Sequence, residues 1–199
     1  MVTLHCTKKL LDRMKIAPQA AGVPDPNVVL GNWYGTALFW KPQLAIFVST
    51  TTLMPMLLPL APAITLHLRI RDSLDVLLRA LETPDQVIAR ELSALDHVVV
   101  SKTSDRSVLG TLNEMVFHAR VIKDEYPTFS LEEIALQLAE TPCKPIGGKS
   151  PLMLCQSRLG SQRPSIWADL RVKVSNVIPM YPTASAVFLP VAPGSPSLP

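Results

Sequence analysis

From Pro42 to Leu68 the sequence contains no aspartate, glutamate, lysine or arginine. Such a stretch has two homes, a packed core or a lipid bilayer. The segment LAIFVSTTTLMPMLLPLAPAI is long enough to span a bilayer as one helix. Its prolines argue against that. Pro55, Pro59 and Pro62 would break a helix repeatedly, and Ser49 to Thr52 set a polar island in the middle. The preceding WYGTALFW, then KPQ, then LAIFV reads as strand, turn, strand. The stretch is therefore expected to form a buried hairpin with a third strand over Leu53 to Leu58. A membrane-associated protein is the alternative.

The flanking sequence changes period. Val2 to Cys6 reads as a short strand, and Thr7 as the cap of a helix to about Lys15 with Leu10, Leu11 and Met14 on one face. APQAAGVPDPN is a loop by its prolines and glycine. Leu66, Ile70, Leu74, Leu77, Leu78 and Leu81 recur at helical spacing, with charged residues on the other face. Thr83-Pro84 ends that helix and starts another, whose stripe is Val87, Ile88, Leu92 and Leu95. HVVVSKT is a strand, and SDRSVLGTLNE opens a helix with Val108, Leu109, Leu112, Met115, Val116 and Ala119 on its apolar face. Ser130 with Glu133 forms a capping box for a last helix to about Glu140.

Charge marks a boundary. Residues 1–150 hold 15 basic and 15 acidic residues, whereas residues 151–199 hold four basic residues, one acid and eight prolines. The net charge of +3 therefore lies wholly in the last quarter, too weak by itself to argue for nucleic acid. Residues 1–150 are expected to form a single α+β domain. Residues 151–199 are expected to be a proline-rich, poorly ordered extension with no helix of useful length. Three scattered cysteines, Cys6, Cys143 and Cys155, make neither a disulfide framework nor a zinc site, so a cytoplasmic setting is the default. The N-terminus lacks the basic-then-apolar order of a signal peptide.

Two places share one layout. LHC-TKK and VVVSKT-SDRS each run strand, then hydroxyl and basic residues, then helix. Helix starts carry unpaired N–H groups and favour anions. The candidate anion-binding set is Thr7, Lys8, Lys9, Lys102, Ser104, Arg106 and Ser107. The plainer reading makes Thr7 and Ser104 ordinary caps and leaves the cations solvated. A second set, Asn32, Trp33 and Tyr34 with Gly110 and Asn113, reads as surface or lid: exposed aromatics beside basic residues stack on bases, although such residues also pack cores. Gly110 costs ~1 kcal/mol in mid-helix relative to alanine, which suggests a close neighbour there. Cys6 beside Lys8 fits either a lowered-pKa thiol or a buried structural one. His5, His67, His97 and His118 lack metal-ligand spacing, so no metal site is expected. IGGKS lacks the first glycine of a phosphate loop, and neither a cofactor nor a catalytic residue is expected from any motif.

LHCTKKLLD, LGNWYGTALFW, LAIFVSTTTL, SVLGTLNE and ETPCKPIGGKSP, in that order over roughly residues 2–150, resemble a family of bacterial proteins catalogued as a domain of unknown function. The resemblance implies no activity and carries over no catalytic residue. Residues 151–199 fall outside its pattern and read as a lineage-specific extension or an altered reading frame.

The fold class expected is α+β: a small mixed or antiparallel sheet of four or five strands, covered by four or five helices mainly on one face, with an irregular C-terminal tail. The expected function is a bacterial cytoplasmic binding module whose partner is an anionic ligand, nucleic acid or another protein. The alternative is a small enzyme acting on a phosphorylated or nucleotide substrate at the paired helix starts.

Overall fold

Val2–Cys6 forms β1 and Val98–Lys102 forms β5, and the two lie side by side in parallel with Cys6 opposite Lys102. On its other side β1 pairs in parallel with β2, Trp33–Leu38. The hairpin read from WYGTALFW-KPQ-LAIFV is present: β3, Leu44–Ser49, runs antiparallel to β2, and β4, Pro55–Pro59, runs antiparallel to β3. The result is one mixed five-stranded sheet of order β4-β3-β2-β1-β5. This structure, a computed structural model, describes residues 1–19 and 28–162. Most of the loop expected at 17–27 and most of the expected tail lie outside the described residues.

Every residue of β2 and β3 is buried. Strands without a polar face need cover on both sides. The charge-free stretch thus becomes β3 and the edge strand β4. Its prolines fall where the ladder tolerates them, since Pro55 and Pro59 sit on β4, an edge strand that needs no outward N–H donors. No helix among the described residues is long and apolar enough to cross a membrane.

The helices follow the apolar stripes. α1, Lys8–Met14, buries Leu10, Leu11 and Met14. α2, Leu66–Ala80, buries Leu66, Ile70, Leu74, Leu77 and Leu78, while Asp75 and Arg79 pair at 3.0 Å on its outer side. α3 spans Asp85–Ser93. α4, Arg106–Glu125, lies on β2 and β3, and α5, Leu131–Ala139, packs on α4 and β4. The capping box of α5 is formed: Glu133 N–H donates to Ser130 Oγ at 3.1 Å, and Ser130 N–H donates to Glu133 Oε2 at 2.7 Å.

The sixth helix corrects an expectation. Pro151–Leu159 is α6, and its Leu152, Leu154, Cys155 and Leu159 are buried. Ser150 caps it, Pro151 takes its first position, and Gly160 ends it in the left-handed region. Serine, then proline, then a terminal glycine is a start-and-stop signal, masked in the sequence by the surrounding proline-rich composition. Beyond α6, Ser161 Oγ lies 2.7 Å from Thr83 Oγ1, and Gln162 N–H donates to the Leu81 carbonyl at 3.1 Å.

The polar island at Ser49 to Thr52 is a buried turn held by its own hydroxyls. Ser49 Oγ donates to the Leu30 carbonyl at 2.5 Å and accepts from Thr52 N–H at 3.2 Å. Thr50 Oγ1 accepts from Asn32 N–H at 3.1 Å, and Thr51 Oγ1 donates to the Val29 carbonyl. From the other side the buried Glu91 carboxylate takes Val29 N–H at 2.7 Å and Leu30 N–H at 3.2 Å. A chain that turns inside a core must find partners for its backbone polar groups, and these side chains provide them.

Candidate functional site

The parallel register of β1 and β5 brings the two strand–helix junctions to one edge of the sheet. In open sheets, ligands bind outside the carboxyl ends of parallel strands. There a cleft of ≈ 770 Å³ opens between the start of α1 and the end of β5. Lys8, Lys15 and Lys102 supply cations to its wall, and Asp12 one carboxylate. Leu11 and the segment Ile16 to Pro18 supply an apolar side. Lys8, Leu11, Asp12 and Lys15 recur at helical spacing, so one face of α1 builds most of that wall.

The two sequence-alike junctions differ in detail. At α1 the Thr7 hydroxyl does not cap; its Oγ1 lies 2.9 Å from Thr36 Oγ1, tying β1 to β2. At α4 the cap is Asp105, not Ser104: its Oδ1 accepts from Ser107 N–H at 2.7 Å and from Val108 N–H at 3.3 Å. That carboxylate occupies the anion-favouring end of α4. The cleft's positive character therefore comes from lysine ammonium groups, not from paired helix starts.

Of the candidate anion-binding residues, Lys8 and Lys102 share the cleft. Thr7 is half-buried and does not line it, and Lys9 is exposed on α1 outside its wall. Ser104, Arg106 and Ser107 are exposed at the start of α4 and do not line it. Ser104 Oγ lies 3.3 Å from Tyr34 Oη, which accepts from Asp105 N–H at 3.0 Å. Lys15 and Asp12 are not among the residues the sequence points to for a site, and Leu11 reads there only as core. Their spacing from Lys8 carries the signal once the helix is in phase.

The second candidate set is placed differently from a surface or lid. Trp33 is 1% exposed and Tyr34 3%. The Tyr34 ring stacks on His5 at 4.6 Å, and its hydroxyl fastens the β5–α4 junction. Buried Asn32 accepts from Thr3 N–H at 2.8 Å through Oδ1. The flanking glycines of GNWYG are steric requirements. Gly31 has φ +68°, and a Cβ there would stand 2.6 Å from Thr50 Oγ1; a Cβ on Gly35 would stand 2.3 Å from the Phe47 ring. Gly110 and Asn113 are exposed on α4. Among the described residues a Cβ at Gly110 would meet nothing within 4 Å, so the expected close neighbour is not among them.

Cys6 touches the cleft but is not a poised nucleophile. Burial pushes its thiol up to about 12, which corrects the lowered-pKa alternative. Cys155 is likewise pushed up to about 12, with burial the largest cause.

A mixed α+β sheet domain with a lysine-lined cleft at its parallel edge is the class that fold and site define. The chain belongs to the family described as Domain of unknown function (DUF6933), whose profile matches residues 3–153. No curated protein and no solved structure matches the chain.

Proposed function

We propose that the protein is a binding module that holds a small anionic ligand, bearing a phosphate or carboxylate group, in the cleft at the carboxyl ends of β1 and β5. The observation that supports it is the meeting of Lys8, Lys15 and Lys102 on one concave wall, drawn from sequence-distant segments by the β1–β5 register. Three ammonium groups against Asp12 give the wall a net charge of two, 3 − 1, suited to a dianion. Leu11 and Ile16 offer an apolar surface to the ligand's body, and Asp12 accepts from a ligand hydroxyl or amine. The bacterial cytoplasm expected from the sequence belongs to this proposal.

A small enzyme acting on a phosphorylated or nucleotide substrate would use the same cleft. The high pKa of the Cys6 thiol favours binding over thiol chemistry there. The membrane reading loses its motive, because the charge-free stretch supplies β3 and β4, two strands of the sheet.

Thermal unfolding in phosphate, against chloride at matched ionic strength, tests the proposal. A ligand of the native state raises the midpoint by mass action. The rise should vanish in the triple variant Lys8→Gln, Lys15→Gln, Lys102→Gln and persist in Lys144→Gln, which lies outside the cleft. A rise that survives the triple substitution removes the reading.

A further inference from the structure

A second concave surface lies apart from the cleft, between the β2–β3 turn and the later half of α4. Phe39, Trp40 and Lys41 form one wall, and Arg120, Lys123 and Asp124 the other, around ≈ 340 Å³. Phe39 is 55% exposed. Its ring is nevertheless held in place. The Arg13 guanidinium lies 5.2 Å from the ring centroid, and Arg13 Nη2 donates to Gln43 Oε1 at 2.9 Å.

The charges around the ring are of nearly one sign. Arg13, Lys41, Arg120 and Lys123 stand against Asp124, a net of +3 from 4 − 1, with Asp124 paired to Arg120 at 3.3 Å. An exposed aromatic platform ringed by cations matches a ligand that carries flat π-faces and repeated negative charge together. An acidic peptide supplies the charge but leaves Phe39 without a stacking partner. A duplex hides its base faces, and a groove this small admits no double helix.

We propose that this groove binds single-stranded nucleic acid, with one base stacked at Phe39 and the neighbouring phosphates met by Lys41 and Lys123. The site is independent of the cleft: neither Phe39 nor these two lysines lines it.

The test is fluorescence anisotropy of a labelled oligonucleotide of about 12 bases with the full chain, across a salt series. Phe39→Ala should weaken binding about tenfold or more, because stacking accounts for much of single-strand affinity. Phe39→Tyr, which keeps the π-face, should retain it. The double variant Lys41→Gln, Lys123→Gln should flatten the dependence of log affinity on log salt by about 1.4, at about 0.7 per lost phosphate contact. The proposal is overturned by absence of binding at low salt, or by affinity indifferent to Phe39→Ala. It is equally overturned if polyglutamate of matched charge binds as tightly, which would leave a cationic patch. A mononucleotide that binds as tightly as the oligomer, with the same Phe39 dependence, would reassign the groove to free nucleotides and overturn the strand.

Discussion

The two ends of the sheet use the same residue types to opposite purposes. At the amino ends of β1 and β2, the hydroxyls of Ser49, Thr50 and Thr51, the Asn32 amide and the Glu91 carboxylate all turn inward to backbone partners. At the carboxyl ends of β1 and β5, Lys8, Lys15 and Lys102 turn outward around an open cleft. Polar residues at the first end replace the water that a buried turn has lost, so removing one strands a donor or acceptor. Those at the second end remain available to a ligand. Polarity in a sequence does not separate these cases; whether the backbone nearby is already satisfied does.

The comparison predicts where the fold is vulnerable. α6 covers the closed end: Arg158 Nη1 donates to the Thr51 carbonyl at 3.4 Å. The largest effect should follow its removal. A chain ending at Ser150 loses the buried Leu152, Leu154 and Leu159 at roughly 1.5–3 kcal/mol each, partly offset by the entropy regained. Its unfolding midpoint should fall by about 10 °C or more. An unchanged midpoint would mean that the closed end does not depend on this cover. Next in size is Gly31→Ala. It puts a Cβ against Thr50 and Thr51 on a backbone at φ +68°, and should cost about 2–4 kcal/mol in a denaturant titration. The same substitution at Gly147, also left-handed but with open space around it, should cost less, since only the backbone strain remains.

Glu91 makes the closed end sensitive to pH. Burial raises its carboxyl pKa above the ordinary value of 4.5, and the hydrogen bonds from Val29 and Leu30 only partly oppose this. Between the ordinary and the raised value the folded chain holds a proton that the unfolded chain has released. Stability from this group is therefore fully present below pH 4.5 and declines as pH rises through the raised pKa. Glu91→Gln removes the titration. The stability difference, wild type minus variant, should shrink as pH rises through the raised pKa. A difference that grows with pH would show that the two N–H bonds outweigh desolvation.

The same contrast explains what could be read from the sequence. Strands and helices were legible wherever an apolar period ran uninterrupted, as in LAIFV or Leu66 to Leu81. The α6 helix was not, because Pro151 and Gly160, which define its ends, sit in a proline-rich composition that hides a nine-residue pattern. Lys8 and Lys102 were legible because each flanks a strand–helix junction. That they meet was not, because it depends on β1 and β5 being parallel neighbours across more than ninety intervening residues. Asn32, Trp33 and Tyr34 left surface stacking and core or lid packing both open, because aromatics between glycines serve either. Their burial follows from a strand covered on both faces, a property of the assembled sheet and not of any local window.

Gly110 belongs to the open side of this comparison and gives its mildest test. Serine, aspartate and arginine precede α4, and a glycine stands one turn in, which in a sequence suggests a backbone or ligand held close. The structure gives the capping to Asp105 and leaves Gly110 exposed, with no atom of the described residues within 4 Å of a Cβ placed there. Nothing then opposes the gain in helix propensity from Gly110→Ala, about 1 kcal/mol. That should appear as a rise of about 2–4 °C in the unfolding midpoint of a chain this size. The cleft lysines should be unaffected, so the phosphate-dependent increment should be the same in the variant as in the wild type. Destabilisation would mean that another chain or a ligand approaches α4 at that point in solution, and the open side of the molecule would then be wider than its cleft.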